Sequence, residues 1–248
     1  MKKEKNHKLY RKMGFYERYI KRAIDIFCSG LAIIVFCWLY AIIALLVRIK
    51  LGSPVLFTQY RPGLIDPKTG KERIFKMYKF RTMTDKKDAE GNLLPDEVRL
   101  TKFGAWLRST SLDELPEAFC ILNGTMTLIG PRPQLVRDMV FMSEEQRMRH
   151  TAKPGLSGLA QISGRNAISW DRKLQYDLEY IEHVSFGRDL KILFKTVEKA
   201  FIKQEGITEE GSVTAADYGD YLIQTKQISK EEYDKKQNEA KELLKGLK

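Results

Sequence analysis

The stretch Arg108-Ser-Thr-Ser-Leu-Asp-Glu-Leu-Pro116 places two adjacent carboxylates, Asp113 and Glu114, close behind a cationic arginine. Ser111 is followed three residues later by Glu114, which is the capping-box pattern that begins a helix. The sequence therefore predicts a helix that starts near Leu112 and carries both carboxylates in its first turn. Acidic residues in a first turn also stabilise the helix dipole without any chemistry, so a simple helix cap is the alternative interpretation.

A stiff turn further along the chain favours a chemical role for this acid pair. Gly130-Pro-Arg-Pro-Gln134 holds Arg132 between two prolines, whose fixed φ angles restrain the backbone that carries the guanidinium. Arginine binds phosphate oxygens through a planar fork of N–H donors. Phosphoryl transfer relies on such cations together with carboxylate-bound metal ions. The two stretches together indicate a metal-assisted phosphoryl transfer site.

The composition points to acidic partners. The chain has 248 residues and a net charge of +11, so phosphates, nucleic acid or an anionic membrane surface are expected to bind it. Its three cysteines, Cys28, Cys37 and Cys120, suggest neither a disulfide framework nor a metal-type pair. This cysteine usage fits a reducing compartment.

An uncharged apolar run from Ile26 to Val47 is long enough to cross or deeply enter a bilayer. It is too long for the apolar part of a signal peptide and lacks a small-residue cleavage site, so we interpret it as a membrane anchor. Nine Lys or Arg residues lie in residues 1–22, and three more lie in residues 48–61. Because basic flanks prefer the cytoplasm, a helix that enters and returns on one face is favoured over a crossing.

The remaining pattern predicts an α+β fold, mostly helical, with a small β-hairpin. Phe75-Lys-Met-Tyr-Lys-Phe-Arg81 alternates apolar and basic residues, as a half-buried strand does. Turn signals before it complete a hairpin and loop region in residues 59–101. Helices are expected in residues 99–107, 112–123 and 134–149. Lys153-Pro-Gly-Leu-Ser-Gly158 is expected to form a glycine-rich loop of the kind that can cradle a diphosphate.

Residues 190–203 predict a basic amphipathic helix, because lysines recur at every fourth position from Lys191 opposite an apolar side. Beside a membrane anchor, we expect this helix to lie at the interface on anionic lipid; a surface helix on the protein core is the alternative. The sequence is therefore divided into a basic N-terminal segment (1–22), a membrane-anchoring, re-entrant helix (23–51), a cytoplasmic catalytic domain (52–204) and a charged C-terminal extension (205–248).

Six ordered motifs give the chain a specific resemblance to a known family. They are Phe57-Thr-Gln-Tyr-Arg-Pro-Gly63, Tyr78-Lys-Phe-Arg-Thr-Met83, Arg108-Ser-Thr-Ser-Leu-Asp-Glu-Leu115, Ile129-Gly-Pro-Arg-Pro133, Lys153-Pro-Gly155 and Gly164-Arg-Asn166. Between about Tyr16 and about Thr214 the sequence resembles the small monotopic bacterial phosphoglycosyl transferases that act on polyprenyl phosphates, the bacterial sugar transferase family. Within that family it is most similar to the diacetylbacillosamine phosphate transferases.

The resemblance implies that a sugar 1-phosphate passes in two steps from a UDP-sugar to undecaprenyl phosphate, which initiates glycan assembly. The family's nucleophilic aspartate matches Asp113, which would attack the β-phosphate, release UMP and carry the phosphosugar covalently. The family's glutamate matches Glu114, which with Asp113 would hold Mg²⁺. The phosphate- and substrate-binding residues implied in this way are Arg108, Arg132, Lys79, Arg81, Arg165 and Asn166.

One departure from the family concerns the membrane helix, which usually has a helix-breaking Ser-Pro pair at its midpoint. Here the matching residues are Cys37 and Trp38, and neither breaks a helix. The basic flanks therefore carry the prediction of a re-entrant helix. UDP-sugars are cytoplasmic, so we expect the catalytic domain on the cytoplasmic face of the inner membrane.

Two other classes of protein share some of these features. A membrane-tethered nucleic-acid-binding protein would need a basic groove with aromatic stacking, and no such pattern appears, so we expect no nucleic acid partner. A membrane-anchored scaffold, in which the acid pair is only a helix cap, would release no UMP from a UDP-sugar. The sequence leaves open the sugar and whether the chain forms a homo-oligomer.

Overall fold

The computed structural model of the protein describes residues 11–164, 168–199 and 216–247. Within these ranges the fold is α+β and mostly helical, with a small antiparallel sheet, as predicted. The helices are α1 (Lys21–Val35), α2 (Cys37–Leu51), α3 (Asp96–Arg99), α4 (Lys102–Ser109), α5 (Glu117–Asn123), α6 (Val136–Met139), α7 (Glu144–Arg147), α8 (Leu159–Ile162), α9 (Trp170–Glu182), α10 (Phe186–Glu198), α11 (Tyr218–Gln224) and α12 (Lys230–Lys245). The strands are β1 (Leu56–Ile65), β2 (Glu72–Phe80), β3 (Thr127–Ile129) and β4 (Gly155–Ser157).

The apolar N-terminal run forms two helices rather than one. The chain bends by 63° between α1 and α2, and Phe36 at the bend has non-helical backbone angles. Among the described residues, no helix alone is long and apolar enough to span a bilayer; only the bent pair Tyr16–Val35 and Cys37–Leu51 reaches that standard together, by length and composition. Large apolar side chains on these helices, including Phe27, Ile34 and Trp38, are exposed.

One face of α2 packs into the protein and supports the two elements that lead to the acid pair. Ile43 and Val47 are buried against Phe80, at the end of β2, and against Leu107, near the end of α4. Lys79 precedes Phe80 in the chain, and Arg108 follows Leu107. Both Lys79 and Arg108 are among the predicted substrate-binding residues. Helix α2 and the candidate site therefore share one hydrophobic cluster.

The predicted hairpin is present, and its strands are longer than expected. β1 and β2 pair antiparallel, with Phe57 opposite Lys79 and Arg61 opposite Phe75. Since side chains alternate along a strand, Lys79 lies on the same face as Phe75 and Met77. Those two residues are buried in a cluster with residues of α5. The alternation thus directs Lys79 toward the region in which α5 begins.

A second sheet was not predicted. β3 and β4 pair in parallel, with Thr127 opposite Gly155, so the predicted glycine loop at residues 153–158 is in part a strand. The glycines are needed because the chains approach closely: a Cβ on Gly155 would lie 2.1 Å from the amide nitrogen of Gly130. Gly130 begins the Pro-Arg-Pro turn, so this contact joins the turn to β4.

The helix predicted for residues 134–149 is wrong as a single element. The chain forms the four-residue helices α6 and α7, followed by a 3₁₀ turn at Met148–Thr151. Ser143 interrupts the run because its side chain caps the start of α7, where it accepts a hydrogen bond from the amide of Gln146 at 3.2 Å. Serine competes with helical hydrogen bonding in this way and favours a helix start.

The C-terminal helices pack against the body that carries the site. Tyr218 and Leu222 of α11 are buried in a cluster with Trp170 of α9, and Ala240 of α12 is buried against Val136 of α6. Most of α12 is nevertheless exposed, as expected for a charged helix with a narrow apolar face. The predicted boundary at residue 204 lies outside the described residues.

We expect Gly104→Ala to lower the stability of the protein, because α4 lies directly on the strand end at Thr82. An added Cβ would lie 1.8 Å from the backbone oxygen of Thr82, so either the helix or the strand end must move. Overpacking of this kind costs about 1–3 kcal/mol, which exceeds the gain of about 1 kcal/mol from alanine's helix propensity. The measurement is the thermal unfolding midpoint in detergent.

The matched control is Gly187→Ala in α10, where an added Cβ meets nothing within 4 Å. It should unfold at the same temperature as the parent or slightly higher. A Gly104→Ala protein as stable as the Gly187→Ala protein would contradict the tight packing of α4 on Thr82.

Candidate active site

The acid pair lies on a tight turn between two helices, and the predicted capping box is wrong. Ser111 has a left-handed backbone with φ of 56° and its side chain caps nothing. Asp113 and Glu114 therefore belong to a 3₁₀ turn at Leu112–Glu114, and α5 begins only after Pro116. Proline is suited to this place because its fixed φ matches the first turn of a helix.

The turn is fixed to the hydrophobic cluster around α2. Leu112 and Leu115, on either side of the acid pair, pack against this cluster. The Tyr40 hydroxyl of α2 donates a hydrogen bond to the backbone oxygen of Leu115 at 2.7 Å. Since α2 holds the turn on its apolar side, the position of the acid pair depends on α2.

Lys79 and Arg132 converge on Glu114. The Lys79 Nζ lies 2.6 Å from Glu114 Oε1 and 3.2 Å from Glu117 Oε1, and the Arg132 Nη2 lies 3.5 Å from Glu114 Oε1. The structure thus brings together four predicted residues, Lys79, Asp113, Glu114 and Arg132, from three separate motifs. A strand, a 3₁₀ turn and the Pro-Arg-Pro turn meet at one point.

Glu117 belongs to this cluster, and the sequence analysis missed it. Its side chain is buried, with only 3% of the residue exposed, and it shares Lys79 with Glu114. The available signal was its spacing: residues three apart on a helix or a tight helical turn lie on one side. A carboxylate three residues after Glu114 was therefore a candidate for the same site.

The carboxyl groups of Asp113, Glu114 and Glu117 differ in pKa because their surroundings differ. Burial raises the pKa of Asp113 to about 6, although the charges of Lys79 and Arg108 oppose this rise. Burial also opposes ionisation of Glu114, but Lys79 and Arg132 outweigh it and lower its pKa to about 2. Burial raises the pKa of Glu117 above its ordinary value. Glu114 is therefore the firmly ionised partner of the two cations.

Asp113 differs from Glu114 and Glu117 because its carboxylate forms no salt bridge with a described cation. Among the described residues, it makes no ion pair within 4.0 Å, and the residue is 8% exposed. The Arg108 guanidinium is close enough to lower the pKa of Asp113, yet its Nε donates to the Thr82 hydroxyl at 3.0 Å. Asp113 thus presents a carboxylate that is mainly ionised above about pH 7 and not neutralised by a direct partner.

The remaining predicted residues lie elsewhere or outside the described ranges. Arg81 is buried and hydrogen-bonds the backbone oxygens of Leu51 and Ser53, and its Nη1 also lies 2.7 Å from Asp85. It therefore closes the end of α2 and is not brought to the acid pair. Arg165 and Asn166 lie outside the described residues.

A small cleft next to Lys79 and Arg132 is lined by three cations, the Glu117 carboxylate and backbone. Its lining residues include Arg61, Lys79, Glu117, Arg132, Gly155 and Leu156. Arg61, which lies in a family motif but was given no role at the site, donates from β1 to the backbone oxygen of Pro133 at 3.1 Å. Three cations around one small cleft suit a ligand with several anionic oxygens.

The acid pair fits a magnesium ion only in part. Within the described ranges, no group of three or more His, Cys, Asp or Glu side chains is arranged to hold a metal. Mg²⁺ is nevertheless commonly held by one or two carboxylates, while water and substrate phosphate oxygens complete its shell. Asp113 and Glu114 are adjacent oxygen donors of that type, so their chemistry suits a metal shared with a phosphate ligand.

Comparisons with known proteins identify the family of this chain. The sequence profile of a family described as "Bacterial sugar transferase" matches residues 16–203, more than half of the chain. The "Uncharacterized sugar transferase EpsL" of Bacillus subtilis (strain 168) is 49% identical over 193 residues, which are 78% of this chain and 89% of EpsL.

Longer relatives share the same region. The "UDP-glucose:undecaprenyl-phosphate glucose-1-phosphate transferase" of Klebsiella pneumoniae is 39% identical over 194 residues, covering 74% of this chain and 40% of that protein. The "UDP-N-acetylgalactosamine-undecaprenyl-phosphate N-acetylgalactosaminephosphotransferase" of Aeromonas hydrophila is 34% identical over 190 residues, covering 72% of this chain and 43% of that protein. The chain spans less than half the length of these two relatives. By its sequence profile and these identities, and as its motifs predicted, the chain belongs to the bacterial sugar transferase family.

Proposed function

We propose that the protein transfers a sugar 1-phosphate from a UDP-sugar to undecaprenyl phosphate and releases UMP. Family membership and the names of the relatives support this reaction class. The observation that carries the proposal is the arrangement of Asp113, which has no direct cationic partner among the described residues, beside Glu114, which Lys79 and Arg132 hold ionised. A free carboxylate next to cations that suit phosphate oxygens is the arrangement that attack on a phosphate ester requires.

The chemistry proceeds in two balanced steps. A carboxylate oxygen of Asp113 forms a bond to the β-phosphorus, and the bond from that phosphorus to the oxygen bridging the two phosphates breaks. UMP leaves with this bond's electron pair, and an acyl phosphate bearing the sugar remains on Asp113. A terminal oxygen of undecaprenyl phosphate then attacks the same phosphorus, which restores the Asp113 carboxylate and yields the lipid diphosphate sugar.

Each neighbouring residue has a separate task in this scheme. Arg132 and Lys79 lie where they can bind diphosphate oxygens, and Arg108 favours the ionised form of Asp113. Glu114 and Asp113 would hold Mg²⁺, which supplies positive charge to offset the diphosphate when it is bound. Glu117 is the second carboxylate, beside Glu114, that keeps Lys79 in place.

A panel of UDP-sugars tests this function most directly. The full-length protein in lipid nanodiscs is incubated with Mg²⁺, undecaprenyl phosphate and one UDP-sugar at a time, and UMP is measured. We expect UMP from at least one donor, including the UDP-diacetylbacillosamine suggested by the sequence resemblance. Absence of UMP with every donor, or release of UDP instead, would contradict the proposed reaction.

We further propose that α1 and α2 enter the membrane and return to the cytoplasmic face. The bend of 63° and the basic residues on both flanks support this topology, because neither flank then crosses the membrane. It also keeps the catalytic domain where UDP-sugars are found.

Cysteine labelling in intact cells should show both ends of the chain on the cytoplasmic side. In a cysteine-free background, single cysteines at Lys5 and at Lys226 should resist a membrane-impermeant thiol reagent and react after permeabilisation. Lys5 precedes the apolar run and Lys226 follows it, and the basic residues that flank the run on both sides favour the cytoplasm. Labelling of Lys5→Cys alone in intact cells would indicate a crossing helix.

We also propose that α10 lies on the membrane surface. Its apolar side chains are exposed: Phe186, Leu190, Leu193, Phe194 and Val197. Lys191 and Lys195 are exposed among them, and Asp189 and Ile192 form the buried side. The predicted helix at residues 190–203 therefore begins earlier, at Phe186, while residues 200–203 lie outside the described residues.

An environment-sensitive dye on α10 should report lipid. In the full-length protein in nanodiscs that contain anionic lipid, a dye on Phe194→Cys should emit as in an apolar medium, and one on Glu231→Cys of α12 as in water. Adding Lys191→Glu and Lys195→Glu should shift the Phe194→Cys signal toward water, since each lysine contributes about 1 kcal/mol near such a surface. Equal emission from the two positions would contradict an interfacial α10.

A further inference from the structure

A buried ion pair lies directly behind the turn that carries Arg132. The Arg149 guanidinium donates from Nε and Nη2 to Asp177 Oδ2 at 2.9 and 2.7 Å. Both residues are 1% exposed. Asp177 belongs to α9 and Arg149 to the 3₁₀ turn after α7, so the pair joins two elements that otherwise stay outside the candidate site.

A buried ion pair adds little to the stability of a protein, because its charges must be removed from water. Removing both charges from water costs several kcal/mol per ion, and apolar residues of similar volume often replace such a pair with no loss of stability. Here the cost is greater, because Asp177 Oδ1 is buried and has no hydrogen-bond partner in the part of the chain that the structure describes. The pair is therefore better explained by what it positions than by the stability that it adds.

Arg149 positions a backbone atom of the active-site turn. Its Nη2 also donates to the backbone oxygen of Arg132 at 2.6 Å, while the Arg132 side chain points to Glu114. Arg61 donates to the next carbonyl, that of Pro133, from the side of β1. The buried guanidinium of Arg149 and the half-buried one of Arg61 thus hold consecutive carbonyls of one turn. The prolines on either side of Arg132 limit the movement that remains.

We propose that Arg149, oriented by Asp177, is a positioning residue that fixes Arg132 for its contact with the diphosphate of the UDP-sugar. This inference rests on the proposed function. Arg149 touches neither the acid pair nor the substrate in this account and acts only through the backbone of Arg132. The planar fork of the guanidinium suits this task, because it can bridge a carboxylate and a carbonyl at fixed angles.

The test replaces the pair by apolar residues, Arg149→Met with Asp177→Leu, in the full-length protein. Because no buried charge is left unpaired, we expect the unfolding midpoint to change little; the Arg132 carbonyl and His150 Nε2 lose a donor, which lowers it slightly. The UMP release rate at saturating donor should nevertheless fall about tenfold or more, as loss of an oriented phosphate contact does. Without any substrate, amide hydrogen exchange in a peptide covering the Pro-Arg-Pro turn should be faster.

A variant at Arg132 separates positioning from a general structural role. In an Arg132→Ala background, Arg149→Met with Asp177→Leu should cause no further loss of UMP release. The reason is that the ion pair acts through the Arg132 guanidinium, which this background already lacks. Arg149→Lys serves as a second variant if the apolar pair does not fold. It retains the charge for Asp177 but not the fork, and its smaller loss should also vanish in the Arg132→Ala background.

Each outcome decides a different claim. Full activity of the apolar pair, unchanged exchange in the turn, or equal losses with and without Arg132 would overturn the positioning role. A parent protein that releases no UMP with any UDP-sugar would overturn the proposed function and, with it, the phosphate contact that Arg149 is inferred to position. Faster exchange in the turn together with a loss that depends on Arg132 is the expected result.

Discussion

Asp113→Asn should abolish UMP release and should also abolish exchange of labelled UMP into UDP-sugar in the absence of lipid. Exchange without an acceptor requires that the first step run forward and backward, and that step needs the Asp113 carboxylate as nucleophile. An amide cannot form the acyl phosphate, so we expect a loss of at least about 10³-fold in both assays. Both are measured with radiolabelled nucleotide in nanodiscs.

The substitution should not act by unfolding the protein. Burial raises the pKa of Asp113 to about 6, so the folded state binds its proton more tightly than the unfolded state, and at neutral pH ionisation of Asp113 opposes folding. Removing that charge should leave the unfolding midpoint unchanged or slightly higher at pH 7. The comparison variant Glu114→Gln should reduce both activities and alter the Mg²⁺ requirement. UMP exchange that persists in Asp113→Asn would favour direct displacement by the lipid phosphate.

Lys79→Met should cause the second large loss, because Lys79 is shared by two carboxylates. Without its charge, Glu114 and Glu117 repel each other in a largely buried space, and Glu114 loses one of the two cations that lower its pKa. We expect UMP release to fall by at least about 10²-fold. The free energy of unfolding should fall by about 1–3 kcal/mol, which is less than for breaking a fully buried ion pair because Lys79 and Glu114 are partly exposed. Thermal unfolding and UMP assays measure the two effects.

A second substitution separates these two effects. Adding Glu117→Gln to Lys79→Met removes the repulsion, so it should restore most of the lost stability without restoring activity. The missing cation still leaves the diphosphate with one partner fewer. Recovery of activity together with stability would mean that Lys79 acts only as a structural ion-pair partner.

The hairpin and Lys79 were predictable because strand alternation is a local property of the sequence. Phe75, Met77 and Lys79 occupy one face by their spacing alone, and burial of the first two directs the third toward α5. The bend at Phe36 was not predictable in the same way, since no proline or glycine occupies that position. Basic flanks suggested a returning chain, but they do not specify where the helix breaks.

The local errors arose where tertiary packing decides the backbone. Ser111 fits a capping box by sequence, yet it adopts φ of 56° while Leu112 and Leu115 pack against the cluster around α2. The β3–β4 pair depends on contact between residues far apart in sequence, so its short strands looked like loops. Glu117 was missed because its role depends on Lys79, which reaches it from the other side of the site.

Intact-protein mass spectrometry with UDP-sugar alone tests the central claim most directly. The protein is incubated with Mg²⁺ and an active donor, without lipid acceptor, and is then denatured under conditions that preserve an acyl phosphate. We predict an added mass equal to one phosphosugar on the parent protein and on a Glu231→Gln control, and no added mass on Asp113→Asn. An unmodified parent protein that still transfers the phosphosugar to the lipid and releases UMP, or the same added mass on Asp113→Asn, would contradict a covalent intermediate on Asp113.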